Sequence, residues 1–165
     1  MNWSMQMVRV CFVCLGNICR SPTAEGVMRH LVREAGLESK IDVDSAGTAG
    51  YHAGEPPDAR ACAAGKRRGV EIRGKARQFK ASDFELFEYV VAMDRANYRE
   101  LEALAERAES TRRLFLLRSF DPESAKGASV PDPYYGGDEG FDEVFDICWA
   151  ACQALLETIK KEHRL

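Results

Sequence analysis

Cys14 and Arg20 are the two residues of this sequence whose types and spacing most directly predict chemistry, since five residues separate a thiol from a guanidinium. The mostly apolar residues 8–13 precede them, and Ser21-Pro22 after them is a typical helix start, with serine as N-cap. A loop between a buried strand and a helix N-terminus can turn several backbone N–H groups toward one point. The segment therefore predicts a cup that binds a tetrahedral oxyanion.

The chemistry that this cup could perform is attack of a thiolate on phosphorus. A helix N-terminus and a nearby arginine both favour the thiolate form of a cysteine, and Cys14 is expected to have both. Gly16 permits a close backbone approach and a positive φ, and Asn17 also tolerates the left-handed region. Arg20 supplies a planar fork for two phosphate oxygens. Ser21 places a hydroxyl beside Cys14, where it can stabilise a leaving thiolate.

Alternating strands and helices must position this loop. Apolar and β-branched runs predict strands at residues 8–13, 41–43, 89–93 and 113–117. Apolar spacing and end signals predict helices from Ser21-Pro22 to about residue 36, and over about 58–68, 95–108 and 141–159. This order predicts a single-domain α/β fold, a parallel sheet flanked by helices on both faces. In such sheets ligands bind at the carboxyl ends of strands, where the Cys14 loop begins.

Composition limits the class of protein. We expect residues 1–7 to form a short N-terminal tail and residues 8–165 to form one domain with a full hydrophobic core. The formal net charge of −3 argues against a nucleic-acid-binding face, and no apolar run is long enough to span a membrane. Six cysteines without a secretory signal pattern indicate reduced thiols and a cytoplasmic protein.

Six segments of the chain form a set of motifs. The first is Val13-Cys-Leu-Gly-Asn-Ile-Cys-Arg-Ser-Pro-Thr-Ala-Glu25. The others are Asp44-Ser-Ala-Gly-Thr48, Gly54-Glu-Pro-Pro-Asp58, Lys75-Ala-Arg-Gln78, Val91-Ala-Met-Asp94 and Asp132-Pro-Tyr-Tyr-Gly136. In this order they resemble the motifs of the low-molecular-weight protein tyrosine phosphatases. The resemblance covers residues 8–160. It implies a four-stranded, three-layer sheet of the flavodoxin-like or Rossmann-like kind, and hydrolysis of phosphotyrosine without metal or cofactor.

The resemblance also assigns a general acid. In the family this is the aspartate of the Asp-Pro-Tyr motif, which falls on Asp132. The residues alone leave Asp94, Asp121, Asp132 and Asp138 open. They offer one reason for Asp132, because Pro133 holds the preceding backbone extended.

The implied mechanism has two steps. Cys14 attacks phosphorus in line and forms a phosphocysteine, while Arg20 and the loop amides hold the equatorial oxygens. Asp132 protonates the departing phenolate and then activates the water that hydrolyses the intermediate. A bell-shaped pH profile is expected.

Further site residues come from the resemblance. It places the substrate's phosphate against Leu15, Gly16, Asn17, Ile18, Cys19 and Ser21. It pairs Asn17 with Ser45 to support the loop, and it walls the cleft with Tyr51, His52, Tyr134 and Tyr135. Ile18 favours an aromatic ester, since relatives that act on phosphoarginine carry threonine there. One departure is Gly74, at a place where many relatives carry a loop-supporting histidine.

The remaining cysteines have simpler interpretations. The resemblance implies a reversible disulfide between Cys14 and Cys19, although Cys19 could also only fill space. Cys11 and Cys14 form a C-x-x-C, but alternate strand residues face opposite ways. Cys148 and Cys152 fall on the apolar stripe of the last helix, and a zinc site using both pairs is a remote alternative.

Three rival functions stay open. An arsenate reductase shares such a loop but uses two further cysteines near the 80s, and residues 74–99 contain none. A silent phosphopeptide-binding module and a phosphoarginine hydrolase are the others. We expect phosphotyrosine proteins or small aryl phosphates as partners, neither nucleic acid nor membrane, and a monomer or weak dimer.

Overall fold

The computed structural model describes residues 7–110 and 113–165, so residues 1–6 of the expected tail lie outside the described residues. The strands are β1 (Val8–Cys14), β2 (Ile41–Gly47), β3 (Tyr89–Ala92) and β4 (Leu114–Leu116). The helices are α1 (Arg20–Glu34), α2 (Ala59–Arg67), α3 (Arg95–Arg107) and α4 (Asp138–His163). Within these described residues, two short 3₁₀ helices, which the sequence patterns did not predict, cover Ala81–Glu85 and Leu117–Phe120.

The strands form one parallel sheet in the order β2-β1-β3-β4. This confirms the predicted single-domain α/β fold with a four-stranded sheet. The chain leaves β1 to one side for β2 and returns to its other side for β3. Such a reversal opens a crevice beyond the carboxyl ends of the strands. Cys14, the last residue of β1, lies at this crevice.

Strand alternation divides the core into two faces. Val10 and Phe12 pack with α1 and α4 on one face of the sheet. Cys11 and Val13 pack with α3 and the 3₁₀ helix at Ala81–Glu85 on the other. Because Cys11 and Cys14 belong to opposite faces, their C-x-x-C spacing does not make a joint site.

Helix α4 closes the first face with the apolar stripe that the sequence indicated. The stripe residues are all buried: Phe141, Val144, Phe145, Cys148, Cys152, Leu155, Leu156 and Ile159. Within residues 7–110 and 113–165, no helix combines the length and the apolar character that crossing a membrane requires.

The two predicted helix caps have different outcomes. Asp58 caps α2 as predicted, because its carboxylate accepts the Arg60 backbone N–H at 2.8 Å. The prediction for Ser21 was wrong, because α1 begins at Arg20 and Ser21 lies in its first turn. Cys19 occupies the cap position without a side-chain cap hydrogen bond. The Ser21 hydroxyl is therefore free for the interactions described below.

Close packing at Gly65 holds the end of α2 against the segment that follows. A Cβ at this position would lie 2.7 Å from the Val70 carbonyl oxygen and 2.7 Å from Ile72 Cδ1. We predict that Gly65→Ala lowers the free energy of unfolding by about 1–3 kcal/mol, because the backbone near Val70 has to move away from the added Cβ. Urea denaturation measures the loss. Lys66→Ala, at the next and exposed position, is the control. Equal midpoints for Gly65→Ala and wild type would contradict this packing.

Candidate active site

The loop after β1 reverses the chain at Asn17, whose φ is +59°. Asparagine tolerates this left-handed conformation better than most residues. Gly16 does not have a positive φ, so its importance lies in close approach. A Cβ at Gly16 would lie 2.9 Å from His52 Cδ2.

The loop presents backbone donors toward the cleft. In the part of the chain that the structure describes, the N–H groups of Leu15, Gly16, Ile18 and Cys19 donate to no protein acceptor. The N–H of Asn17 donates to Cys14 Sγ at 3.3 Å. Four free donors around a thiol form a site for the oxygens of a tetrahedral anion, reinforced by the N-terminus of α1.

A chain of hydrogen bonds supports the loop from behind. The Ser21 hydroxyl lies 3.0 Å from Cys14 Sγ and accepts from Asn17 Nδ2 at 2.8 Å. Asn17 Nδ2 also donates to Ser45 Oγ at 2.9 Å, the contact that the resemblance implied. Asn17 Oδ1 accepts the Arg77 backbone N–H at 3.0 Å. All donors and acceptors of the Asn17 side chain are thus used to hold the loop.

Glu25 ends this chain of hydrogen bonds, and the sequence did not point to it. Ser45 Oγ donates to Glu25 Oε1 at 2.5 Å, and Arg29 contacts Glu25 Oε2 at 2.7 Å. Burial raises the pKa of Glu25, while the bonds from Ser45 and Arg29 oppose that rise. A glutamate on the buried side of α1, next to Ala24, was the signal that could have revealed it.

Arg20 lies beside the thiol and is almost completely buried. Its Nη1 contacts Asp94 Oδ2 at 2.6 Å and donates to the Val130 carbonyl at 3.0 Å. Burial alone would lower the pKa of Arg20, but Cys14 and Asp94 raise it above its usual value. The guanidinium therefore stays charged and has a fixed orientation.

The geometry separates the four aspartates that the sequence left open. Asp94 is engaged with Arg20 and caps α3 through the Asn97 N–H at 2.7 Å. Asp121 bonds to its own turn, and Asp138 lies in the first turn of α4. Asp132 alone of the four lines the cleft, with Oδ2 at 3.8 Å from Arg20 Nη2.

The cleft is a cavity of about 320 Å³. It is lined by Cys14, Leu15, Gly16, Ile18, Cys19, Arg20, Tyr51, His52, Asp132, Tyr134 and Tyr135. Of the site residues that the sequence indicated, Asn17, Ser21 and Ser45 are not in this lining, since their side chains are buried behind the loop. Tyr51 and Tyr135 are 66% and 94% exposed, so most of each ring is open to a ligand.

Other potential chemistry near the cleft is limited. Burial raises the pKa of Cys19 to about 12, so its thiol stays protonated at neutral pH. His52 Nδ1 lies 2.5 Å from Glu55 Oε2, which orients its ring at the rim. Among the residues described, no cluster of three or more His, Cys, Asp or Glu could hold a metal ion.

Comparisons with known proteins place this site in a family. Residues 9–165 match the family model described as low molecular weight phosphotyrosine protein phosphatase. The chain is 46% identical to a low molecular weight protein-tyrosine-phosphatase of Streptomyces coelicolor, over 93% of this chain and 94% of that protein.

Solved structures agree with the family model. The crystal structure of a protein tyrosine phosphatase from Entamoeba histolytica is 41% identical with a TM-score of 0.86, over 96% of this chain and 99% of that chain. A Drosophila arginine phosphatase is 34% identical with a TM-score of 0.85, over 92% of this chain and 97% of that chain.

The hydrogen bonds of Ser45 lead to a stability prediction. Ser45→Ala removes a donor from the buried Glu25 carboxylate and an acceptor from Asn17, so we expect a loss of about 1–3 kcal/mol in the free energy of unfolding. Thr48→Val is the control, since within the described chain the buried Thr48 hydroxyl makes no hydrogen bond. Chemical denaturation of both variants measures the difference. Equal losses would contradict the supporting role of Ser45.

Proposed function

Because this chain belongs to the low molecular weight phosphotyrosine protein phosphatase family, we propose that it hydrolyses phosphotyrosine through a phosphocysteine on Cys14. In this proposal Arg20 binds the phosphate, and Asp132 serves as general acid and then base. The observation that carries it is the arrangement of four loop N–H groups without a protein acceptor in the described residues and one buried guanidinium around the Cys14 thiol. That arrangement matches the charge distribution of a phosphoryl group in transfer.

In the first step the Cys14 thiolate attacks phosphorus opposite the tyrosine oxygen. The S–P bond forms as the P–O bond to the tyrosine breaks. The leaving oxygen keeps the electron pair of the P–O bond and receives a proton from the Asp132 carboxyl. Asp132 is suited to this because it lines the same cleft as Cys14, with its carboxyl oxygen Oδ2 3.8 Å from Arg20 Nη2. The aromatic rings of Tyr51 and Tyr134 would pack against the substrate ring.

In the second step water replaces sulfur on phosphorus. The Asp132 carboxylate takes a proton from the water, the P–S bond breaks, and Cys14 leaves as a thiolate. The Ser21 hydroxyl at 3.0 Å and the Asn17 N–H at 3.3 Å stabilise that thiolate by hydrogen bonds. No electron source or metal is needed for either step.

Phosphoarginine hydrolysis is the second candidate, because the chain is similar to a Drosophila arginine phosphatase. Ile18 favours tyrosine. Its side chain lines the cleft and packs against the buried cluster of Cys19, Ala61, Ala64 and Phe141. An apolar wall of this kind suits an aromatic ring better than a guanidinium.

Finer properties complete the proposal. We place the enzyme in the cytoplasm as a monomer or weak dimer that acts on phosphotyrosine proteins or small aryl phosphates. The six cysteines, all within the described residues, are free thiols, which suits a reducing compartment. The net charge of −3 speaks against nucleic acid as a partner.

A protective disulfide between Cys14 and Cys19 is a further part of the proposal, favoured because both residues line one cavity. Peroxide would oxidise the Cys14 thiolate to a sulfenic acid, and the Cys19 thiol would displace water to form the disulfide. The high pKa of Cys19 makes it a slow attacking group.

The test is phosphate release from a phosphotyrosine peptide with reductant and a metal chelator. We expect turnover by wild type, none by Cys14→Ser, and a loss of about 10²–10⁴-fold for Asp132→Ala. A phosphoarginine peptide is compared in parallel. Turnover by Cys14→Ser would contradict the covalent mechanism, and faster release from phosphoarginine would reverse the choice of substrate.

A further inference from the structure

Arg60, the second residue of α2, contacts the segment that carries Asp132. Its Nη2 donates to the Tyr134 carbonyl at 3.1 Å, and its Nη1 donates to the Gly136 carbonyl at 3.4 Å. The guanidinium carbon also lies 5.6 Å from the centre of the Tyr134 ring and 4.5 Å from that of Phe141. The planar Arg60 guanidinium thus contacts two carbonyl oxygens and two aromatic rings that follow Asp132 in the chain.

The same guanidinium is tied to the phosphate-binding loop through Asp58. Arg60 Nε and Nη2 donate to the two carboxylate oxygens of Asp58 at 3.1 Å and 3.0 Å. The backbone N–H of Asp58 in turn donates to the Ile18 carbonyl at 2.7 Å. The hydrogen bond from Arg60 lowers the pKa of Asp58, so the pair stays ionised at neutral pH.

Asp132 lies between two anchored points of the backbone. Before it, the Val130 N–H donates to the Met93 carbonyl at 2.8 Å, and the Val130 carbonyl accepts from Arg20 Nη1 at 3.0 Å. After it, Arg60 holds Tyr134 and Gly136. The Asp132 side chain itself is 46% exposed, and its short contact is with the Tyr134 N–H at 3.1 Å. Its direction therefore depends on how the flanking backbone is held.

We propose that Arg60 is a positioning residue for general acid catalysis, which links the segment after Asp132 to the phosphate-binding loop so that the carboxyl reaches the leaving oxygen. The inference rests on the proposed function, in which Asp132 is the acid. Lysine cannot replace arginine here, because one ammonium cannot serve a carboxylate and two carbonyls in one plane. Arg60 acts through Asp132, since it is not among the residues that line the cleft.

The test compares Arg60→Met with Arg67→Met through kcat/KM for two aryl phosphates. Arg67 is on the same helix and pairs with Asp142 of α4 at 2.9 Å, away from the cleft. Phenyl phosphate has a poor leaving group that needs the acid, whereas dinitrophenyl phosphate leaves without it. For Arg60→Met we expect a loss of about tenfold or more with phenyl phosphate and less than about threefold with dinitrophenyl phosphate. Arg67→Met should match wild type with both.

Two further readouts separate positioning from general damage. Inhibition by inorganic phosphate should be unchanged in Arg60→Met, because the phosphate-binding loop is intact. In an Asp132→Ala background, adding Arg60→Met should lower kcat/KM by less than about twofold, since the effects of substitutions at residues that act as one unit are not additive. Arg60→Lys, which keeps the charge, should show the same leaving-group dependence if Arg60→Met is too unstable to assay.

Equal losses with both substrates, or a full additional loss in the Asp132→Ala background, would overturn the positioning role. So would wild-type rates in both Arg60 variants. Failure of wild type to release phosphate from either substrate would instead contradict the proposed function, so the two failures are distinguishable.

Discussion

The burial of Arg20 is the constraint on which the rest of the site depends. A guanidinium removed from water is costly unless it is paired and hydrogen-bonded. Asp94 at 2.6 Å and the Val130 carbonyl at 3.0 Å meet this need, and they come from two different segments. Satisfying Arg20 therefore brings the carboxyl end of β3 and the segment leading to Asp132 together beside Cys14.

The hydrogen bonds behind the loop perform the complementary task. The loop cannot use its own N–H groups internally if they are to bind an anion, so other groups must hold its shape. Side chains of Asn17, Ser21 and Ser45 do this, and Glu25 closes the series. Without such support, free donors around a thiol would turn toward protein acceptors or water.

Local patterns predicted the elements well because the strands are short apolar runs and α4 has a regular stripe. They also located the thiol and the arginine, which lie in one continuous segment. The start of α1 was missed by one residue because Ser21 has the composition of a cap but is needed beside Cys14. The roles of Glu25 and Arg60 were missed because they depend on Ser45 and Tyr134, which are 20 and 74 residues away in the chain. Only tertiary structure brings such partners together.

The central claim is that Cys14 carries the phosphoryl group between the two steps. It is tested most directly by quenching Asp132→Ala with denaturant at alkaline pH, where a phosphorus–sulfur bond is stable, after mixing with an activated aryl phosphate, followed by mass spectrometry of the peptides. The account predicts one phosphoryl group on the peptide containing Cys14, removed by iodine, which cleaves phosphorus–sulfur bonds. Phosphate on another residue, or continued turnover by a protein in which Cys14 is blocked, would contradict it.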